Sequence, residues 1–363
     1  MPRRSDKPPT IIDVAREAGV GIMSVSRVLN HHPGVKESTR TRVETAMERI
    51  GYTPNDAARM LKGRRARTIG LIVPDLSDFY ASCFHAIQSV AMEHEHQTMV
   101  AATGRNPHVE ESQIDAMRLH GIAGLLLVSS GSDGRALRQM QQAGIPIVAF
   151  DRPAALRTDE VLVENRAGAA AGVQHLIEHG HRRIACVGFD SGSYTVRERI
   201  AGYRAAMQTA GLEAEVIGNI GSEEAMDALA AGWRKDAARP TAVFSLKRIT
   251  SALLLRSLHR QKLNVPGEIA VVGFDDFDLA EVLGAPLTVV RQSPAEVARS
   301  AADLLFGKIA EARSAESRAA AAAGKQQIHR ICFPAHLVLR HSCGCKAEPS
   351  SGSFPIESGE FSI

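Results

Sequence analysis

Between Thr68 and Gly273 the chain repeats one rhythm, and that rhythm constrains the fold more than any other feature. Short runs of β-branched and aliphatic residues, TIGLIV (68–73), TMVAAT (98–103), GLLLV (124–128) and PIVAF (146–150), are separated by amphipathic stretches near 81–96, 109–120 and 134–143. After Val163 the pattern restarts. Strand-like runs recur at 183–188, 215–218, 241–245 and 269–273, with helical stretches at 166–179, 198–210, 223–236 and 249–261. Strands that alternate with helices pair in parallel, because each crossover returns the chain across the sheet, and parallel sheets are covered on both faces. The expected body is α/β, with two doubly wound parallel-sheet subdomains. At 363 residues, 44% of them apolar, the chain has enough material for more than one core.

Residues 10–53 lack this rhythm and predict an all-α head. Ile11, Val14, Ala15 and Ala18 recur at helical spacing, and Thr10 and Asp13 resemble a helix-opening capping pair. Gly19-Val20-Gly21 then breaks the helix, and Gly19 tolerates the positive φ of a C-cap. A second helix, Ile22 to Leu29, turns Val25, Val28 and Leu29 inward and leaves Ile22, Met23, Ser24, Ser26 and Arg27 outside. Glu37–Ile50 forms a third helix. Two short helices across a glycine turn make a helix-turn-helix, whose second helix enters the major groove of DNA by its N-terminal end.

Charge agrees with this division. Residues 1–67 hold 14 Lys and Arg against 7 Asp and Glu, whereas the rest holds 29 against 33. A basic head on a mildly acidic body fits phosphate neutralisation by the head. The five cysteines are odd in number and scattered, as in a reducing cytosol, with Cys83, Cys186 and Cys332 expected as small core residues. Cys343-Gly344-Cys345 lacks a second pair at zinc-finger spacing, so no metal site is expected. MPRRSDKPP is basic without an apolar run, so no signal peptide is read, and no stretch is long and apolar enough to predict a membrane span.

The words DVAREAGV and SVSRVLN, standing together, resemble the lactose/galactose-repressor (LacI/GalR) family of bacterial transcriptional regulators. The match continues through VKESTRTRVETAMERIGYTPNDAARMLKGRRARTIGLIVPDLSD, and later in AGIPIVAFDRP, EHGHRRIACVG, RERIAGYRAAM and VPGEIAVVGFDDFDLA. It therefore spans residues 10–342. The resemblance implies a disordered arm (1–9), a helix-turn-helix domain (10–54), a hinge helix (55–64) and a periplasmic-binding-protein-like body (65–342). In that body the chain crosses between the halves three times. PLTVV (286–290) and helix 294–312 are expected to return to the first half, and IHRICF and HLVLR (336–340) to close the second. The N-subdomain is then 65–163 with 288–325, and the C-subdomain 164–287 with 326–342. Residues 313–326 read as an inserted flexible loop, and 343–363 as a disordered tail.

Function follows the same resemblance: a cytoplasmic, nucleoid-associated homodimer that binds a pseudopalindromic double-stranded DNA operator, most simply as a repressor, under control of a small effector. DNA contacts are implied for Thr10, Ile22, Met23, Ser24, Ser26, Arg27 and Asn30 in the head. In the hinge helix they are implied for Asn55, Ala58 and Leu61. Leu61 matches a leucine that wedges into the minor groove, and Ala58 a small residue that lets paired hinge helices approach. Ile22 and Met23 stand where family members differ. Being apolar, they suit thymine methyls or groove shape rather than hydrogen-bonded base edges. Gly21 replaces the serine common at the head of this helix, which costs a few tenths of a kcal/mol as a cap.

Parallel sheets bind ligands beyond the carboxyl ends of their strands. Asp75, Ser77, Asp78, Phe79 and Tyr80 follow the first strand, Asp151 and Arg152 follow PIVAF, Arg197 and Arg199 begin a helix, and Asp275 and Asp276 follow AVVGF. Carboxylates, guanidinium groups and an aromatic ring suit a hydroxyl-rich ligand. By resemblance Arg199 contacts the effector and Asp275 faces it. Two departures matter. Asp78-Phe79-Tyr80 is one residue shorter than the family's Asn-Pro-Phe-Phe, and Lys247 and Arg248 replace its Asn-Asp. Two cations there point to a sugar acid or sugar phosphate rather than a neutral sugar. The rival class is a sugar-transport solute-binding protein, which the head argues against. An enzyme is not expected: no GxGxxG, Walker A or HExxH motif occurs, and no cofactor is implied.

Overall fold

The structure, a computed structural model, describes residues 9–29, 32–52, 67–188, 192–218, 220–282, 284–312 and 328–345. The expected arm, the hinge helix with Asn55, Ala58 and Leu61, Asn30, and the 313–326 insertion lie outside the described residues. The chain divides into a head, residues 1–66, and a body, residues 67–363.

In the head, helices α1 (Ile11–Ala18), α2 (Ile22–Leu29) and α3 (Glu37–Ile50) fall where the periodicity places them. Thr10 closes a reciprocal capping box with Asp13: its Oγ1 accepts from the Asp13 amide at 3.4 Å, and its amide donates to the Asp13 carboxylate at 2.9 Å. Such a cap contributes about 1 kcal/mol. The Arg42 guanidinium donates to the Ala18 and Gly19 carbonyls at 2.6 and 3.0 Å. That satisfies α1's last acceptors, which the helix itself leaves open. Gly19 takes φ +63° there, beside the Arg42 side chain. Val14, Val25 and Val43 are fully or almost fully buried and make one small core with Ala15, Ala18, Val28 and Ala46.

The body begins with β1 (Thr68–Val73), α4 (Asp78–Glu93), β2 (Gln97–Ala102), α5 (Pro107–Leu119), β3 (Leu125–Leu127), α6 (Arg135–Gln142), β4 (Ile147–Phe150) and β5 (Asp159–Val163). It continues through α7 (Asn165–Glu178), β6 (Ile184–Val187), α8 (Tyr194–Thr209), β7 (Glu215–Ile217), α9 (Glu223–Lys235), β8 (Ala242–Ser245), α10 (Arg248–Arg260) and β9 (Ala270–Phe274). It ends in β10 (Thr288–Arg291), α11 (Pro294–Glu311), β11 (Arg330–Phe333) and β12 (His336–Val338). The first sheet has the order β11-β5-β4-β3-β1-β2 and the second β12-β10-β9-β8-β6-β7. Among the described residues every pairing is parallel except β10 with β12. Apolar layers lie on both faces of each sheet, which explains the almost continuous burial of β1, β4 and β9.

The closing elements differ from expectation. Residues 288–291 pair with β9 in the second sheet and do not return to the first; only α11 does, packing Val297, Ala301 and Leu305 into the first core. IHRICF contributes β11 to the first sheet, beside β5, and only β12 closes the second. β5 itself was not expected. Its two leading carboxylates (DEVLV) mask an interior strand, which β11 then covers. Cys332 is exposed on β11, an edge strand, and is not a core residue. Residues 343–345 do not belong to a disordered tail: Cys343 is buried in the second core.

The chain crosses between the sheets at Glu164, at Gln292-Ser293 and at Pro334-Ala335. The crossings are neighbours. Val163 pairs with Phe333, the Glu164 amide donates to the Phe333 carbonyl at 2.9 Å, and Arg291 pairs with His336. Helices α7 and α8 approach so closely that a Cβ on Gly202 would meet the Arg166 carbonyl oxygen at 2.2 Å. Only glycine fits there.

Candidate functional site

Between the carboxyl ends of the two sheets lies a cleft of about 790 Å³. In each sheet the neighbours of the first strand (β2 and β3 around β1, β7 and β8 around β6) lead the chain in opposite directions, and a crevice opens at such a switch point. Of the residues expected at the effector site, Asp78, Phe79, Tyr80, Asp151, Arg199, Lys247, Arg248 and Asp275 all line this cleft. Arg197 does not: it is exposed and donates to the Gly192 carbonyl at 2.9 Å. Two helical steps rotate a side chain by about 200°, so Arg197 and Arg199 leave α8 on opposite faces.

Arg199 anchors the second wall. It is 3% exposed and bonds Asn165 Oδ1 through Nε at 2.8 Å, the Leu246 carbonyl through Nη1 at 2.7 Å, and both carboxylate oxygens of Asp275 at 3.1 and 3.4 Å. The guanidinium carbon lies 3.7 Å from the centre of the Phe274 ring. Asp275 follows β9 at φ +73°, held by its amide donating to the Val290 carbonyl at 2.9 Å. The Gln292 side-chain amide also donates to Asp275, and its Oε1 is buried without a hydrogen-bond partner among the described residues. A buried acceptor left open costs about 1–3 kcal/mol, so it marks a place for a donor from a ligand or water.

The first wall repeats the device. Asp151 follows β4 at φ +60°, its amide donating to the Val161 carbonyl at 3.0 Å. It is 4% exposed, accepts from the Tyr80 hydroxyl at 2.9 Å and pairs with Arg152 at 3.5 Å. Burial pushes its carboxyl above the usual range; the Arg152 charge and the Tyr80 hydrogen bond oppose that rise. Burial, and then the Asp151 charge, hold the Tyr80 phenol well above its ordinary value, so it stays a donor. Phe79 packs edge to face on Tyr80, with centroids 5.1 Å apart. Arg105 bonds Asp75 at 2.9 Å. At the mouth, Arg248, the first residue of α10, pairs across the cleft with Asp78, the first residue of α4.

Arg105 and Gln292 were missed as site residues, whereas Arg152, expected after PIVAF, lines the cleft. Gln292 sits in a crossing whose position the sequence did not place. Asp276 lines the cleft but is tied to Arg291 and Arg340, each at 2.8 Å through one of its bonds.

On the head, Ile22 is 47% and Met23 70% exposed at the start of α2. Arg27 is exposed, while Ser24 and Ser26 are half-buried. The α2 helix opens from the Gly21 carbonyl, which accepts from the Ser24 amide at 2.8 Å. Thr10 spends its hydroxyl on Asp13, at 2.7 Å.

Residues 10–55 match the bacterial regulatory proteins of the lacI family, and residues 173–343 match the periplasmic binding protein-like domain. The chain is 30% identical over 347 residues to the HTH-type transcriptional regulator DegA of Bacillus subtilis, covering 92% of this chain and 97% of that protein. It is 31% identical over 310 residues to the ribose operon repressor of Escherichia coli, covering 83% and 93%. Among solved structures, the transcriptional regulator CelR–cellobiose complex is similar with a TM-score of 0.64 and 29% identity, covering 92% of this chain and 99% of that one. A helix-turn-helix head, a two-sheet body with its cleft, and full-length similarity to such regulators together place the chain in the lacI family of bacterial regulatory proteins, as a DNA-binding transcription regulator and not an enzyme.

Proposed function

We propose that the protein is a repressor that binds a pseudopalindromic operator as a homodimer and is controlled by a small hydroxyl-rich ligand held in the body's cleft. The observation that carries the ligand reading is the pairing of charges on both walls. Arg199 with Asp275, Arg152 with Asp151 and Arg105 with Asp75 each set a carboxylate against a guanidinium group, beside the open Gln292 acceptor. Such pairs offer donors and acceptors side by side without a large net charge, which suits vicinal hydroxyls. Phe79 and Phe277 add apolar surface for a ring face. The similar regulators named for ribose and complexed with cellobiose support the same class.

A second reading, a sugar acid or sugar phosphate, rests on the N-terminus of α10. Lys247 and Arg248 open that helix at the cleft, and no side chain caps it. A helix N-terminus with two cations favours an anion. Against this, Arg248 already holds Asp78.

Ile22 and Met23 are the side chains proposed to read the operator, with Ser24, Ser26, Arg27 and Asn30 positioning α2. Thr10, Asn55, Ala58 and Leu61 are assigned DNA contacts by resemblance to the family. Ligand closure of the body and operator binding would then be linked reciprocally. Selection from a random duplex library with the purified protein, repeated with Leu61→Ala, tests the DNA reading: one palindromic motif, weakened by the substitution, is expected. The enriched operator then serves to screen neutral sugars, sugar acids and sugar phosphates for changed binding. A neutral sugar whose effect survives Lys247→Ala selects the first reading. An acid or phosphate whose effect is lost in that variant selects the second. No enriched motif, with or without candidate effectors, overturns the repressor reading.

A further inference from the structure

Away from the cleft, α7 ends against the chain's Cys343-Gly344-Cys345 turn. One ligand atom each of His175, Cys343 and Cys345 lies within 4.8 Å of the other two. His175 Nε2 is 3.3 Å from Cys345 Sγ, and His179 Nε2 is 3.0 Å from the same sulfur. His175 and His179 are four residues apart, on one face at the end of the helix, and their rings lie 4.3 Å apart. We propose that His175, His179, Cys343 and Cys345 form a zinc site that clamps the end of the second subdomain to α7.

Three features beyond proximity support a ligand set. First, His179 Nδ1 lies 2.8 Å from the His175 carbonyl oxygen. A carbonyl only accepts, so Nδ1 carries the proton and Nε2 turns its lone pair toward Cys345. Orientation of a ligating histidine by its other nitrogen is the usual second-layer arrangement around zinc. Second, the Thr288 hydroxyl donates to Cys343 Sγ at 3.1 Å while accepting from the Arg340 amide at 2.9 Å. Cys343 Sγ in turn meets the Arg340 carbonyl at 3.5 Å, so its neighbours on both sides fix where the sulfur stands. Third, the turn is built independently of any ion. Ser342 is fully buried; its hydroxyl donates to the Val271 carbonyl at 2.6 Å and accepts from the Thr288 amide at 2.8 Å. Gly344 takes φ +90°, and its amide donates to the His341 carbonyl at 3.0 Å.

Size and chemistry agree. Zinc bonds of about 2.3 Å to sulfur and about 2.0–2.1 Å to nitrogen set tetrahedral S and N ligands about 3.5 Å apart. On Cys345 the contacts of 3.0 and 3.3 Å open by about half an ångström to admit the ion, and the His179 ring, which stands outside the mutually close trio of His175, Cys343 and Cys345, turns toward that trio to complete the tetrahedron. Two imidazoles and two thiols are a borderline-soft set that selects zinc over magnesium or calcium. The cysteine spacing alone gave no such signal, because the histidines lie more than 160 residues upstream in sequence.

The test uses the full chain, purified under reducing conditions. Metal analysis after gel filtration should find one zinc per chain, and Co²⁺ added to chelator-treated protein should give thiolate-to-cobalt charge transfer with tetrahedral d–d bands. His179 is exposed and Cys345 half-buried, so His179→Ala and Cys345→Ser should fold. Each should lower zinc affinity by about tenfold or more, and chelator should lower the melting temperature of the parent but not of these variants. His341→Ala, an exposed neighbour outside the set, should keep its zinc. Reduced parent protein without zinc, or equal zinc retention by the parent and both cluster variants, overturns the proposal.

Discussion

Replacing Arg199 by methionine removes a charge from the centre of the second wall while filling most of its space. The residue is 3% exposed, and its loss leaves Asp275, Asn165 Oδ1 and the Leu246 carbonyl without a donor they now hold. Removing one partner of a buried ion pair costs about 3–5 kcal/mol. The Asp275 side chain keeps 22% exposure and the Gln292 amide, so the lower end applies, about 3 kcal/mol. In a body of this size each kcal/mol moves the melting temperature by about 2–4 °C, giving a fall of roughly 6–12 °C. Urea and thermal unfolding of the ligand-free protein would read it. Arg256→Met, which breaks an exposed pair with Glu223, should cost less than about 1 kcal/mol. Arg199→Met combined with Asp275→Asn should cost about 1 kcal/mol or more less than the sum of the single changes, since the two groups share one interaction. A loss in Arg199→Met below 1 kcal/mol, or strict additivity with Asp275→Asn, refutes the reasoning.

Three further outcomes are expected. Gly202→Ala should destabilise the body by about 1–3 kcal/mol in urea unfolding, because the added methyl meets the Arg166 backbone rather than a movable side chain; an unchanged midpoint would show that α7 and α8 separate freely. Burial raises the Asp276 carboxyl, but hydrogen bonds and charge from Arg340 and Arg291 outweigh that and hold it below the usual carboxylate range. Its contribution is therefore present above pH about 4 and lost as pH falls through the lowered value, so Asp276→Asn should unfold more readily at neutral pH and show a shallower decline between pH 5 and 3 than the parent. On the operator, Met23→Ala should relax base preference at one symmetric pair of positions and weaken binding there by about 1 kcal/mol, read by competition with variant duplexes; uniform weakening over all positions would assign Met23 to packing instead.

The sequence made the alternating elements and most of the cleft legible, for a physical reason. Buried parallel strands must be continuous apolar runs, and the residue after such a run is at the ligand face whatever its partners. That logic found Asp78, Asp151 and Asp275 at their strand ends, and the family resemblance added Lys247 and Arg248. It failed where pairing, not composition, decides. β10 and β11 are equally strand-like, and only the register of Thr288 with Val272 and of Arg330 with Glu160 assigns them to opposite sheets. It failed again at Arg197, where both arginines of one helix carry the same chemistry and only the turn of the helix separates them. Gln292 and the Cys343 turn were hidden for a third reason: each gains its meaning from side chains brought in from far along the chain.

The three adjacent crossings have a mechanical consequence. Links of one or two residues, laid side by side and laced by the Glu164 amide and the Arg291–His336 pair, resist twist and sliding between the halves because each motion would stretch one link against another. Flexion about the line they share is the soft coordinate that remains. The two walls of the cleft thus move as leaves on a strap, with essentially one degree of freedom. Gln292 lies within the strap itself and reaches Asp275 with its amide. A molecule that engaged its open acceptor would touch the pivot as well as the leaves, and differences in its shape near that point would be levered into larger displacements at the rim, where Asp78 meets Arg248.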